Sequence, residues 1–503
     1  MPDENALKEL VRVLSQSKIL VSADVRADVL EGVEVDLLAS KLIDTHKADT
    51  ALAVINETEI RQTIEGLRVD KAPLPVEVIR SADFKPYASD IDARYSISNK
   101  PAERAEGTTA DFVSYFRDRL AKTKRLIGEH RRDGYGHVQT LDMLKNFADG
   151  KEVMIVGVVT NRVTTKKGHT MVILEDETSE VRVLFINGTS QQARQLTERA
   201  NTVIQDEVIA VKGKISGIFV MANEVVWPDI PIREKKKVEE DVAIAFMSDI
   251  HIGSKRFMQK NFQNMLEWIN GSSGVGHREL AGKIKYIVMA GDVVDGIGVY
   301  PGQERDLAIF DIYAQYKELF DYIDTIPDYI HVFVLPGNHD AVQRAEPQPP
   351  LTSDLLRDFK KDNVHIVSNP SNMTLHGLDV LAYHGTSLAS MISAIPGMSF
   401  SQPERVMIEV LKRRHISPVY GGNVIVPSKE DNLVIEKVPD ILHMGHVHKN
   451  GIANYHGVEV VNSGTWQSIT DYQISQGLIP TPCILPVYEA KSHAFTSLSF
   501  TNE

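Results

Sequence analysis

Five short apolar runs in the C-terminal half each end on a polar cluster, and that repetition constrains the architecture more than any other feature. AIAFM leads into Ser248-Asp249-Ile250-His251, and YIVMA leads into Gly291-Asp292-Val293-Val294-Asp295. HVFVLP precedes Gly337-Asn338-His339-Asp340, DVLA precedes Tyr383-His384-Gly385, and DILHM precedes Gly445-His446-Val447-His448. Apolar runs of this length, bounded by turn residues, read as buried strands. Strands alternating with helical segments predict an α/β sheet whose functional groups gather at the strands' C-terminal tips.

Singly, each cluster has an ordinary explanation: an Asp after a strand caps a helix, a His is a satisfied structural residue, Gly-Asn-His is a turn. Together, in this order, they supply imidazoles, carboxylates and one carboxamide at a single end of a sheet. Two divalent cations roughly 3.5–4 Å apart can clamp a phosphate and activate a water for in-line attack. A carboxylate shared by both ions offsets their repulsion, and neutral imidazoles complete the shells without repelling an anionic substrate. Mixed nitrogen and oxygen donors suit Mn²⁺, Fe or Zn²⁺ better than Mg²⁺ alone.

Upstream, the pattern changes three times. Residues 4–47 read as helical, with Leu7, Leu10, Val11 and Leu14 on one face and further helices at 23–30 and 34–46, so 1–60 is expected to be a small docking domain. Residues 61–145 read as a linker containing Pro73, Pro75, Pro86 and Pro101, followed by an amphipathic helix over 109–131. On that helix Phe112, Tyr115, Phe116 and Leu120 form the apolar face, while Arg117, Arg119, Lys122, Lys124 and Arg125 are expected in solvent. Residues 146–235 hold five or six short strands with tight turns, which predicts a small closed barrel, an OB-fold. Such barrels bind single-stranded nucleic acid through aromatics; Phe185, Phe219 and Trp227 are few, and steadying the neighbouring domain is an equal expectation. A charged stretch at 233–240 then leads into the domain of 240–503.

The single cysteine, Cys483, rules out an internal disulfide. The first ten residues have neither a basic nor an apolar segment of a signal peptide, and no run approaches the ~20 apolar residues of a membrane helix, so a cytoplasmic protein with no membrane association is expected. The net charge of −13 argues against electrostatic coating of nucleic acid. Metal ions or a partner subunit would have to supply the positive charge for DNA.

The series D-x-H, GD-x-x-D, GNHD, HG and GH-x-H resembles the calcineurin-like metallophosphoesterase superfamily, which includes the double-strand-break repair nucleases. That resemblance implies a two-sheet phosphoesterase domain, α/β locally and α+β over the whole chain with the barrel and helical domain before it. It also implies that Asp249, His251, Asp292 and His448 hold one metal, and that Asp292, Asn338, His384 and His446 hold a second, with Asp292 bridging. His339 would be the general acid or transition-state stabiliser, Asp340 would orient it or cap the next segment, and Asp295 would fix a ligand or serve the fold. The implied cofactor is a pair of divalent ions, Mn²⁺ first, with Fe, Zn²⁺ or Mg²⁺ as alternatives.

The helix–linker–barrel–phosphoesterase order resembles the B-type small subunits of replicative DNA polymerases. LKRRHISPVYGG at 411–422 and PDILHMGH at 439–446 are similar to the small subunits of archaeal family D polymerases, a likeness extending over about residues 140–480. Eukaryotic relatives have lost metal ligands, whereas this chain keeps the full set. The resemblance implies a 3′→5′ proofreading exonuclease acting on DNA primer 3′ ends. It would work in a heterodimer whose large subunit carries polymerisation, with a sliding clamp reached through the complex. Lys412, Arg413 and Arg414 are candidates for contact with DNA or the large subunit. Two other readings stay open: a phosphoesterase for small nucleotides or phosphoproteins, and a catalytically silent scaffold subunit.

Overall fold

The structure, a computed structural model, describes residues 4–501 except 24, 31–34, 47–52, 70–77, 79–80, 82, 100–105, 131–137, 273–275 and 358. Pro73, Pro75 and Pro101 of the expected linker lie outside the described residues.

Ala243–Met247 and Ile284–Ala290 are buried at every position, as strands covered on both faces must be. They belong to a six-stranded sheet ordered Val364–Ile366, His331–Leu335, Ile284–Ala290, Ala243–Met247, Ile484–Glu489, Ala494–Ser499. Its first four strands run parallel, and the last two are antiparallel additions. A second six-stranded sheet is ordered Asn450–Tyr455, Val458–Ser463, Ile441–Met444, Leu378–Ala382, Ser371–Leu375, Tyr95–Ile97, with the central Leu378–Ala382, Ile441–Met444 and Val458–Ser463 parallel.

Between the sheets lies one apolar core, in which Phe246, Val288 and Phe333 meet Met373, Val380 and Ile441. The far face of the first sheet packs on the helices Gln259–Ile269 and Ile312–Asp324. The far face of the second packs on Ser387–Ala394 and Pro403–Arg413. This layering explains why the five apolar runs show no alternation: each strand has apolar neighbours above and below.

The barrel closes in the order Glu152–Thr164, Thr170–Glu175, Glu180–Phe185, Phe219–Val226, Val208–Ser216. It has five strands because the expected separate runs on either side of Gly213 form one strand. Residues 4–69 have a core of their own built on Leu10, Leu14, Leu38, Leu42 and Ile60. There the expected helix at 23–30 is only a 3₁₀ turn over Ala27–Leu30, and a two-stranded parallel sheet joins Ile19–Val21 to Ala53–Ile55.

Two expectations are corrected. Part of the stretch read as linker belongs to the sandwich: Tyr95–Ile97 is the edge strand paired with Ser371–Leu375, and the Arg94 N–H donates to Tyr286 Oη at 2.8 Å. A three-residue edge strand is too short to show a period, and its partner is distant in sequence. Arg119 of the helix Thr109–His130 is not solvated; it is 2 % exposed. Its Nε lies 2.7 Å from Asp431 Oδ2, and Nη1 donates to the carbonyls of Asp206 (3.0 Å) and Pro418 (2.8 Å), joining barrel to sandwich. Among the described residues no helix is long and apolar enough to cross a membrane.

Candidate metal centre

Three motif loops leave parallel strands of the first sheet and two leave parallel strands of the second, so all five emerge at one end of the sandwich. There the seven expected ligands meet. Asp249, His251 and His448 form one group and Asp292, His384 and His446 another, each with donor atoms within 4.8 Å of one another. In the first, His448 Nε2 lies 3.1 Å from His251 Nε2 and 3.3 Å from Asp249 Oδ1. In the second, His384 Nε2 lies 3.2 Å from Asp292 Oδ2, 3.2 Å from His446 Nδ1 and 3.0 Å from Asn338 Oδ1. The same Asp292 Oδ2 stands 4.0 Å from His251 Nε2, between the groups.

Backbone donors hold the carboxylates in this pose. The N–H of His339 donates to Asp292 Oδ1 at 2.8 Å, leaving Oδ2 to face both groups. The N–H of His446 donates to Asp249 Oδ2 at 2.8 Å; Oδ1 is fully buried and has no hydrogen-bond partner among the described groups. A buried carboxylate oxygen without a donor is costly, and a cation at this point would satisfy it. The donor set therefore fits divalent metal ions.

The loops reach this geometry through left-handed backbone at Asp249, His251, Asp292, His446 and His448, with φ between 48° and 68°. Asp and His tolerate this region better than most residues, and strain of this kind clusters at functional sites. The motif glycines serve close approach: a Cβ on Gly337 would lie 2.2 Å from Asp292 Oδ1, and one on Gly445 would lie 2.4 Å from Asp249 Oδ2.

Outer contacts aim the rings. His384 Nδ1 is 2.9 Å from the Ala290 carbonyl and His251 Nδ1 is 3.0 Å from Asp295 Oδ1, so both rings turn Nε2 inward. His448 Nδ1 is 2.8 Å from Gln473 Nε2. Asp295 is itself held by Gln303 and Gln467. His339 Nδ1 lies 2.7 Å from the Asp295 carbonyl, so Asp295 rather than Asp340 orients it. Asp340 instead ties two motif loops together, accepting from the N–H groups of Gly337 (2.7 Å) and Val293 (3.3 Å) and from Tyr316 Oη (3.0 Å).

Burial opposes charge on every group here, and the partners decide the outcome. Burial works against a charged His384, but the Asp292 carboxylate outweighs it and lifts the ring to about 10. Burial alone would raise Asp292, yet His384 and His339 hold it well below the usual range. His446 is pushed down to about 3 by burial and by His384, and burial also lowers His251, so both offer neutral lone pairs.

The basic tract is corrected. Arg413 and Arg414 are 3 % and 1 % exposed. Arg413 Nε lies 2.6 Å from Glu207 Oε2, and its Nη1 pairs with Glu409. Arg414 donates to the carbonyls of Ile435 (2.7 Å) and Glu436 (2.6 Å), while Lys412 Nζ sits 4.6 Å from the Trp227 ring centre. Glu207 and Trp227 belong to the barrel side, so the tract is a domain seam with its charges answered internally. Sequence reasoning missed Gln303, Gln467 and Gln473, since glutamines far from the motifs carry no signal; Gln473 reads only as the last member of a helix-capping box with Thr470.

A mixed α/β sandwich with a histidine–carboxylate centre, joined to a closed barrel, matches the family of B-type subunits of DNA polymerases alpha and epsilon over residues 244–451. The DNA polymerase II small subunit of Archaeoglobus fulgidus is 43% identical over 385 residues, 76% of each chain. That of Methanocaldococcus jannaschii is 39% identical over 409 residues (80% of this chain, 68% of the relative), and that of Methanothermobacter thermautotrophicus is 37% identical over 421 residues (83% of each). The chain belongs to the small-subunit family of archaeal DNA polymerase II, the family D enzymes.

Proposed function

We propose that the chain is the proofreading subunit of its polymerase, hydrolysing phosphodiesters at DNA 3′ ends with two divalent metal ions, while a large partner subunit carries polymerisation. The observation carrying this reading is the convergence of all seven ligand side chains, with Asp292 Oδ2 between the two groups and Asp249 Oδ1 buried without a donor. The sandwich is read as a calcineurin-like phosphoesterase fold. The barrel is read as an OB-fold from its strand order, with the helix Gln191–Asn201 between its third and fourth strands in sequence. A cytoplasmic heterodimer, with the helical domain of residues 1–60 used for docking and a sliding clamp reached through the complex, completes the proposal.

Asp249, His251, Asp292 and His448 would hold one ion, and Asp292, Asn338, His384 and His446 the other. Mn²⁺ is the favoured metal, with Fe, Zn²⁺ and Mg²⁺ to be compared. When bound, the pair supplies the charge that clamps a phosphate and activates a water. His339 supplies the proton: with Nδ1 held by the Asp295 carbonyl, Nε2 is the nitrogen that can protonate the departing 3′ oxygen. A deep site at strand tips favours frayed ends, because a mismatched terminus separates from its template at lower energetic cost than a paired one.

Calorimetric titration of Mn²⁺ into metal-free protein, combined with hydrolysis of a single-stranded oligonucleotide, tests this. Two ions per chain are expected, with His339→Ala keeping both but losing turnover. Two bound ions without hydrolysis, alone or with the large subunit, would favour the scaffold reading.

A further inference from the structure

The loop from Gly296 to Asp306 forms a lip next to His339, and it carries apolar surface that a phosphate-binding centre does not need. Tyr300 is 39% exposed and Ile297 48% exposed. The Tyr300 ring centre lies 6.2 Å from that of His339, at 61°, and its hydroxyl donates to Asp306 Oδ2 at 2.9 Å. The lip is braced at three further points. Gln303 Oε1 accepts from the Val299 N–H at 2.9 Å, Gln303 Nε2 donates to the Asp295 carbonyl at 2.8 Å, and Arg344 Nη2 donates to the Val299 carbonyl at 2.7 Å. A half-exposed aromatic ring is thus held in a fixed pose against the proposed proton donor. The phosphate, the ions and the water make no use of such a ring; a nucleobase one sugar away does.

We infer that Tyr300 is the specificity-determining platform on which the base of the 3′-terminal nucleotide stacks, so that the centre selects an unpaired nucleotide end. This deepens the DNA reading given above and rests on it. Stacking is indifferent to base identity because every base has a π face. That indifference suits an enzyme that must remove any of the four bases, and a base still paired to its template is not available to the ring.

The test compares single-stranded oligonucleotides ending in an ordinary or an abasic 3′ nucleotide, cleaved by the full chain and by Tyr300→Ala and Tyr300→Phe. The wild type should prefer the ordinary end by about fivefold to a hundredfold in kcat/KM, the range for one stacked base. In Tyr300→Ala that ratio should collapse towards one, and Tyr300→Phe should restore it. A wild type indifferent to the base, or a Tyr300→Ala that slows both ends equally and keeps the ratio, overturns the inference while leaving the exonuclease reading intact. Hydrolysis of bis(p-nitrophenyl) phosphate with neither oligonucleotide cleaved overturns both.

Discussion

Replacing Arg119 with Met should uncouple the barrel from the sandwich. Asp431 is fully buried: its Oδ2 faces Arg119 Nε at 2.7 Å and His415 Nε2 at 2.8 Å, and its Oδ1 accepts from the Leu433 N–H at 3.0 Å. Removing the guanidinium leaves that carboxylate without its permanent countercharge and frees the carbonyls of Asp206 and Pro418. Breaking a buried pair from one side costs about 3–5 kcal/mol. With a urea dependence of about 2 kcal/mol per molar, the midpoint should fall by roughly 2 M. Trp227, on the seam, gives a fluorescence signal for the melt.

The loss should depend on pH in a definite direction. In the wild type, burial and then the Arg119 charge hold His415 below its ordinary value. Without Arg119 the Asp431 carboxylate is left to raise the ring, so its folded value moves upward. A raised histidine contributes stability that is present below its unfolded value and lost as pH rises through the folded one. The variant's deficit should therefore be smaller at pH 6 than at pH 8. Arg119→Met combined with Asp431→Leu should recover much of the loss, because an apolar pair of similar volume needs no countercharge. A deficit under about 1 kcal/mol, the scale of a surface pair, would refute the reasoning. So would a deficit equal at both pH values.

Gly337→Ala should leave the secondary structure intact by circular dichroism but displace the Asp292 carboxylate, lowering turnover by about a hundredfold or more, the scale of an ångström's misplacement. Gln473→Ala, measured by Mn²⁺ titration, should weaken one ion by about 10- to 100-fold, as loss of an outer partner does. Because Asp292 lifts His384 to about 10 in the metal-free protein, ion binding must expel that proton. Apparent affinity should rise with pH below about 10, with proton release visible as a dependence of the binding heat on the buffer.

The site was legible because its residues are tied to strand tips: once five apolar runs are read as strands in parallel sheets, the polar residues after them must converge. The glycines of the GD, GN and GH motifs were legible as motif letters, though their reason, the 2.2–2.4 Å approach a Cβ would make to a carboxylate, is visible only in three dimensions. Lys412, Arg413 and Arg414 misled because a run of basic residues looks like surface, and nothing local announces that Glu207, some 200 positions earlier, answers Arg413. Tyr95–Ile97 was hidden for the same reason: its partner strand is remote, and proline-bearing polar sequence masks three residues of strand. Gln303, Gln467 and Gln473 reach the centre from loops with no motif of their own.

The central claim is best tested with a 5′-labelled primer on a template, its 3′ end paired or mismatched, incubated with the purified chain and Mn²⁺ beside Asp292→Asn. Shortening from the 3′ end is predicted, faster on the mismatch and absent in the variant. Equal rates on both ends would contradict proofreading selectivity, and cleavage that survives in Asp292→Asn would contradict the metal centre itself.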